Sequence, residues 1–212
     1  MTIRDIGRAI LTAVVKAGGE DIAIEGSDII LDAVTDSELV DELPVVSWIV
    51  KAGRIGTSVR DQLFIRKLQR FLTALQDIPD HERLAFDDQL NDDPAKRQNL
   101  GEQLITILDR LDELEKADML ALAFRAYIAE KIPHDLFLRL ARAIDRCMVH
   151  DLRFVHNFER ATDAFPNESF DLAASGLIQM AQLPAIRTED SRPMYILSDF
   201  GRTFINLILR ER

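Results

Sequence analysis

The sequence contains a single cysteine, Cys147, and no uninterrupted apolar stretch of membrane-spanning length. A lone cysteine excludes an internal disulfide and is typical of proteins in a reducing compartment. A transmembrane helix needs about 20 apolar residues in a row, and a secretory signal needs a clean apolar core. Arg4, Asp5, Arg8 and Lys16 interrupt the apolar residues at the N-terminus. We therefore expect a cytoplasmic protein.

Common enzyme motifs are also missing. The chain contains no G-x-S-x-G, G-x-x-x-x-G-K-[ST], G-x-G-x-x-G or H-E-x-x-H, patterns that position a nucleophile, bind phosphates or hold zinc in large enzyme classes. Aromatic residues make up only 7% of the chain, and most are phenylalanine. The sequence therefore predicts a protein that is not an enzyme and that needs no cofactor.

Positive charge is scarce in the chain as a whole, which has a net charge of -10, but not in residues 44–75. That segment, PVVSWIVKAGRIGTSVRDQLFIRKLQRFLTAL, has six basic residues and one acid, Asp61, whereas residues 77–118 have thirteen acids and five bases. Opposite charges on neighbouring elements often pair, so the economical interpretation is pairing within the protein. The candidate interaction residues of the basic segment are Trp48, Lys51, Arg54, Arg60, Arg66, Lys67 and Arg70.

A second interpretation is that the basic segment binds a partner and is masked by the acidic helices. Trp48 lies among valines and an isoleucine and is followed by Lys51 and Arg54, which is the composition of an interfacial membrane helix. We expect a protein partner or a homo-oligomer, with an anionic membrane surface, at the inner face of the membrane, as the alternative. Nucleic acid is not expected as a partner, because the chain is strongly acidic.

The hydrophobic pattern predicts a mainly α fold. Apolar residues recur at helical spacing in residues 2–17, in 94–129 with a break near residues 115–118, and in 135–161. Asp93 and Pro94 are placed as the cap and first residue of a helix, and Ala52 with Gly56 would allow a close helix contact. We predict an antiparallel multi-helix bundle over residues 1–164 and a small α/β element packed on or beside it over residues 165–212.

Residues 169–208 follow a different order. A helix is followed by Gly176-Leu177-Ile178, a polar loop, and then Tyr-x-Leu-Ser-x-x-Gly-Arg at residues 195–202. This order resembles the closing half of a winged-helix domain, and the resemblance implies that the loop is the wing, that residues 195–197 form the returning strand, and that Ser198 caps the last helix. The loop carries two arginines and two acids, so we expect this element to serve packing or protein contact and not to bind DNA.

A metal site is the third hypothesis. Cys147, His150 and Asp151 are spaced i, i+3 and i+4 and would share a face if residues 135–161 form one helix. They would offer a thiolate, an imidazole and a carboxylate to zinc or iron. A structural zinc site usually has four ligands, often from paired motifs, and the chain has no second pair. We therefore predict no metal and keep a metal-dependent enzyme only as an alternative.

Two short segments carry a further resemblance. Leu43–Val46, an apolar helix start, together with Tyr195–Gly201, resembles small helical bacterial proteins of abortive-infection and mobile-element type. This resemblance implies a role in phage defence or toxicity. The sequence as a whole predicts a non-enzymatic interaction or effector protein with a masked basic helix, and the alternative is a transcription regulator with a degenerate winged helix.

Overall fold

The computed structural model describes residues 3–16, 58–160, 162–163, 168–181 and 194–210. Helices dominate these ranges and a small antiparallel sheet lies near the C-terminus, which confirms the predicted mainly α fold class. Contacts divide the chain into two compact units, Met1–Ala121 and Leu122–Arg212. The predicted domain boundary between residues 164 and 165 falls within the second unit, outside the described residues, and stays a prediction. Among the described helices, none is long and apolar enough to cross a membrane.

The first unit is built from helices whose ends are set by local capping. Ser58 and Asp61 form a capping box, in which each side chain accepts a hydrogen bond from the other residue's backbone N–H. Asp93 caps the helix that begins at Pro94, as predicted, and its side chain accepts from the Lys96 N–H at 3.0 Å. The helices are α1 (Ile3–Lys16), α2 (Val59–Thr73), α3 (Asp80–Asp92), α4 (Pro94–Arg110) and the first part of α5 (Glu115–Ile128).

Helices α1 and α4 pack backbone against backbone. A Cβ atom added to Gly7 would lie 2.7 Å from the Gly101 carbonyl carbon, and one added to Gly101 would lie 2.8 Å from the Gly7 carbonyl carbon. Ile10, Leu11 and Val14 of α1 are fully buried, which confirms the predicted amphipathic helix over residues 2–17. The close approach needs glycine on both helices, because any side chain would separate them.

The interruption between α4 and α5 lies at residues 111–114, slightly before the predicted break at 115–118. Leu111 leaves the helical conformation with φ -56° and ψ 130°. The helix then restarts at Glu115, so the acidic residues from 115 to 118 belong to the first turn of α5. Negative side chains are favourable there because they face the positive end of the helix dipole.

The second unit combines short helices with a three-stranded sheet of order β1-β3-β2, in which both pairings are antiparallel. Ile178 pairs with Leu197, and Thr162 pairs with Tyr195. The elements after α5 are α6 (His134–Arg146), α7 (Val149–Phe154) with a 3₁₀ turn (Val155–Glu159), β1 (Thr162–Asp163), α8 (Glu168–Ala174), β2 (Ile178–Met180), β3 (Met194–Leu197) and α9 (Asp199–Phe204) with a π-helical turn (Ile205–Leu209).

The prediction of one long helix over residues 135–161 is wrong. Helix α6 ends at Arg146, Cys147 and Met148 are extended, and a new helix begins at Val149. Cys147 is fully buried, and its Sγ lies 3.5 Å from the Asp171 carbonyl oxygen and 3.5 Å from the Ser175 Oγ. The break turns the Cys147 side chain towards α8, so tertiary packing overrides the local helical pattern.

A hydrogen-bonded corner joins α8, β2 and α9. Gly176 has φ +84° and ends α8 in a Schellman arrangement, with the Leu177 N–H donating to the Leu172 carbonyl at 2.9 Å. The Ser198 Oγ accepts from the Gly201 N–H at 2.9 Å, which confirms Ser198 as the cap of the last helix, and it also contacts the Gly176 carbonyl oxygen at 2.6 Å. A Cβ at Gly201 would lie 2.1 Å from the Leu177 carbonyl oxygen, so this position requires glycine.

Candidate functional site

The candidate interaction residues divide at the start of α2. Trp48, Lys51 and Arg54 lie outside the described residues, as does the Ala52 and Gly56 pair. The rest of the predicted helix 44–75 is helical from Val59 to Thr73. It carries the four remaining candidates, which are Arg60, Arg66, Lys67 and Arg70.

Two arginines of α2 are held by carboxylates of the acidic segment. The Arg60 Nη2 donates to Asp109 Oδ2 at 2.5 Å and its Nε to Oδ1 at 3.4 Å. The Arg70 Nε donates to Asp118 Oδ1 at 3.0 Å, and its Nη2 donates to Oδ2. Both contacts are bidentate, because two N–H groups of each planar guanidinium donate to the two oxygens of one carboxylate. These contacts show the internal charge pairing that the sequence predicted, for these two arginines. The hydrogen bond to Asp118 also raises the pKa of Arg70.

Lys67 is bound in a different way, because its partners are backbone atoms. Its Nζ donates to the carbonyl oxygens of Asp109 and Leu111, both at 2.8 Å. These carbonyls lie at the C-terminal end of α4, where the last turn has no intrahelical donors. Lys67 is only 5% exposed, and burial lowers the pKa of its ammonium group, partly opposed by the charge of Asp109. Lys67 is therefore a helix cap supplied by a neighbouring helix.

The outward side of α2 is partly apolar. Val59 is 74% exposed and Leu63 is 45% exposed, and Arg66 is also exposed. Phe64, Leu68, Phe71 and Leu72 are buried on the other side of the helix. The helix thus has a core face and a separate surface that combines apolar and cationic groups.

The sequence favoured Asp87, Asp88, Asp112 and Glu113 as acids that mask the basic helix, but Arg60 and Arg70 are bound by other carboxylates. Asp109 and Asp118 bind them, whereas Asp112 lies 2.6 Å from the ammonium group of Lys116, which is 1% exposed. Burial acts to raise the pKa of Asp112, but the hydrogen bond and charge of Lys116, together with backbone hydrogen bonds from Asp112 and Glu113, outweigh it and leave that pKa below its ordinary value. Helix periodicity could have distinguished the acids that face α2 from the acid that faces Lys116 only if the break at residues 111–114 had been placed correctly.

The structure contradicts the geometry assumed for the metal hypothesis. Cys147 lies in the extended break after α6, whereas His150 and Asp151 belong to α7, so the three residues do not share one helix. The His150 ring stacks on Phe154 with centroids 6.4 Å apart, and Asp151 is 7% exposed. In the ranges that the structure describes, no group of three or more His, Cys, Asp or Glu side chains is arranged to hold a metal ion.

Comparison of the chain with protein-family models, curated proteins and solved structures gave no match. The function is therefore argued from the chemistry of the residues described above. The best-defined feature is α2, with its two carboxylate-bound arginines, its buried capping lysine and its exposed apolar residues.

Proposed function

We propose that this is a non-enzymatic interaction protein, in which the basic apolar segment 44–75 binds a partner and is held by the protein's own carboxylates. The observation that carries this proposal is the pairing of Arg60 with Asp109 and of Arg70 with Asp118. The partner is another protein or a second copy of the chain. An anionic membrane surface is the alternative partner, because it would bind the same cationic side chains.

The exposure of the ion pairs supports this role. The Arg60 side chain is 79% exposed and its partner Asp109 is 36% exposed, and the Arg70 side chain is 45% exposed. Exposed ion pairs contribute little to stability, because water competes for both charges. An external anion can therefore replace Asp109 more easily than Asp118, whose side chain is 21% exposed, whereas Lys67 is committed to the end of α4.

Phage defence or toxicity is the biological role that we propose for this binding. The support is the resemblance of Leu43–Val46 and Tyr195–Gly201 to abortive-infection and mobile-element proteins. In such a role the protein is bacterial and cytoplasmic, and it reaches the inner face of the membrane when the basic segment is released. Weakening the internal pairs should then make the protein more harmful to a bacterial host.

Vesicle binding by the intact protein tests the masking. The variant with both Asp109→Asn and Asp118→Asn should bind vesicles of phosphatidylglycerol and phosphatidylcholine more tightly than the unaltered protein. The matched control is Asp112→Asn, which removes an acid of the same segment whose hydrogen-bond partner is Lys116 and not an arginine of α2. Fluorescence of Trp48, the only tryptophan, reports insertion. Salt at about 1 M should reduce the increase in vesicle binding of the double variant, because it shortens the screening length to about 3 Å.

Equal vesicle binding by the double variant and by the Asp112→Asn control would rule out masking by Asp109 and Asp118. A growth test addresses the biological role. Expression of the double variant should slow a bacterial host more than expression of the unaltered protein or of the control. Equal growth of all three strains would remove the support for toxicity.

The alternative function is a transcription regulator with a degenerate winged helix. Its support is the observed order of α8, β2, β3 and the Ser198-capped helix α9, with β2 and β3 paired antiparallel. The wing-like loop lies outside the described residues. With a net charge of -10, we expect no duplex DNA binding at about 150 mM salt, where several phosphate contacts are needed. A salt-sensitive gel shift at submicromolar protein would favour the regulator.

A further inference from the structure

Helix α2 presents a stripe of four residues on its outward side. Val59, Leu63, Arg66 and Arg70 are spaced by four, three and four residues, so they lie on one face of the helix. All four are exposed, and the two apolar residues precede the two cations. We call these residues the cationic stripe.

Helix α3 presents a stripe of the opposite charge. Leu84 is 62% exposed, and Ala85, Asp88 and Asp92 are also exposed. Leu84 and Ala85 lie four and three residues before Asp88, and Asp92 lies four after it, so all four residues lie on one side of α3 around Asp88. Here too the apolar residues precede the charged ones. We call these residues the acidic stripe.

The two stripes match in register when the helices run parallel. Leu63, Arg66 and Arg70 each lie 22 positions before Ala85, Asp88 and Asp92 respectively. Because both helices rise about 1.5 Å per residue, an alignment that sets one pair side by side sets all three. The same alignment brings Leu63 beside Ala85 and next to Leu84, whereas Val59 falls opposite His81. One surface of the first unit is thus complementary to another surface of the same unit in charge, polarity and spacing.

We propose that the cationic stripe on α2 binds the acidic stripe on α3 of a second copy of this chain. This inference rests on the proposed function, since it names the partner of the basic helix. An anionic membrane would satisfy Arg66 and Arg70, but it gives no role to the exposed Leu84 or to the matching carboxylates on α3. A second copy accounts for both surfaces at once.

The surface area that α2 and α3 of two copies can bury determines how strong their self-association is expected to be. One helix pair buries less than the roughly 1,600 Å² of a standard stable interface, so the association should be weak. The pairs of Arg66 with Asp88 and of Arg70 with Asp92 lie beside the apolar contact. Charges in that position give specificity and salt sensitivity more than affinity. Arg70 is also held by Asp118, so Arg66 is the better residue to test.

Charge reversal on one stripe and then on the other tests the proposal in the full chain. Arg66→Glu places a carboxylate opposite Asp88, and Asp88→Arg places two arginines opposite each other. Each variant alone should lose self-association by at least tenfold in sedimentation equilibrium. A mixture of the two variants should associate, because every contact then joins a Glu or an Asp to an Arg. The positions are exposed, and circular dichroism should verify that both variants fold.

The control is Arg153→Glu, which reverses an exposed arginine on α7 and should leave self-association unchanged. An unaltered protein that stays monomeric up to about 1 mM, near the weakest specific affinities, would overturn the inference. So would a mixture of Arg66→Glu and Asp88→Arg that associates no better than either variant alone. Either outcome would overturn the self-association alone. The proposed function is tested separately, by the vesicle binding of the Asp109 and Asp118 variants. Vesicle binding separates the two partners as well, because Asp88→Arg should weaken self-association without weakening vesicle binding.

Discussion

Lys67 and Arg70 lie one turn apart on α2, yet the two sides of the helix use positive charge for different purposes. Lys67 is buried and donates to two carbonyl oxygens at the end of α4. Arg70, like Arg60, is exposed and is held by a carboxylate. The difference shows that a basic segment counted from the sequence can contain both a structural cap and exchangeable surface charges. Burial and the type of partner separate the two roles.

The largest effect should follow from removing the buried cation. Lys67→Met keeps an unbranched side chain of similar shape but leaves the carbonyl oxygens of Asp109 and Leu111 without this donor. Loss of a buried hydrogen-bond partner costs about 1–3 kcal/mol, so we expect about 2 kcal/mol of lost stability in urea unfolding. Arg66→Met, at the neighbouring exposed position, is the control and should change stability little. Equal losses in the two variants would show that Lys67 is not a cap.

A second prediction concerns the other buried lysine. Asp112→Asn removes the carboxylate that lies 2.6 Å from the Lys116 ammonium group, and we expect a loss of about 1 kcal/mol at neutral pH, a small value because Asp112 itself is largely exposed. The pKa of Asp112 is lowered in the folded protein, so its contribution is present above its ordinary value of 3.8 and is lost as the pH falls below it.

Urea unfolding measured from neutral pH to below pH 3.8 checks the direction in which the contribution of Asp112 to stability changes with pH. The stability difference between the unaltered protein and Asp112→Asn should be full near neutral pH and should close as the pH falls below 3.8 and through the lowered pKa of the folded state. Asp88→Asn, an exposed position on α3, is the control and should show a smaller difference at neutral pH. A difference that grows on acidification would contradict the assigned role of Lys116.

The smallest effects should come from the exposed arginines. Arg60→Gln and Arg70→Gln should each change stability by less than Lys67→Met does, because both arginine side chains are exposed to water. Thermal unfolding at low salt and at about 1 M salt measures this, and the small difference should vanish at high salt through screening. A loss comparable to that of Lys67→Met would place these arginines in the core and would remove the basis for exchangeable pairing.

Local signals predicted much of the fold. The apolar periodicity of α1, the Asp93 cap before Pro94 and the Ser198 cap of α9 all depend on residues close in sequence, and the structure contains each of them. The break at Cys147 has no proline or glycine to indicate it. It follows from contacts with Asp171 and Ser175, which are distant in sequence. Sequence patterns do not contain that information.

In the candidate site, too, the sequence predicted some features and could not predict those that depend on residues distant in sequence. The charge pattern predicted that the basic and acidic segments pair, and the contacts of Arg60 and Arg70 are of this kind. The pattern could not single out Lys67, because a buried cap and a surface lysine look alike in sequence. The close helix contact was expected at Ala52 and Gly56, which lie outside the described residues, and the pair of glycines that makes one in the first unit lies on two separate helices.

The crossing of α1 and α4 at Gly7 and Gly101 limits how this protein can change during evolution. At most helix contacts, a larger residue on one side can be offset by a smaller one on the other. Here no smaller residue exists, and the obstacle at each position is the opposite backbone, at 2.7 Å and 2.8 Å from the added Cβ. Neither position has a compensating partner. A descendant that loses either glycine must move the backbones of α1 and α4 apart.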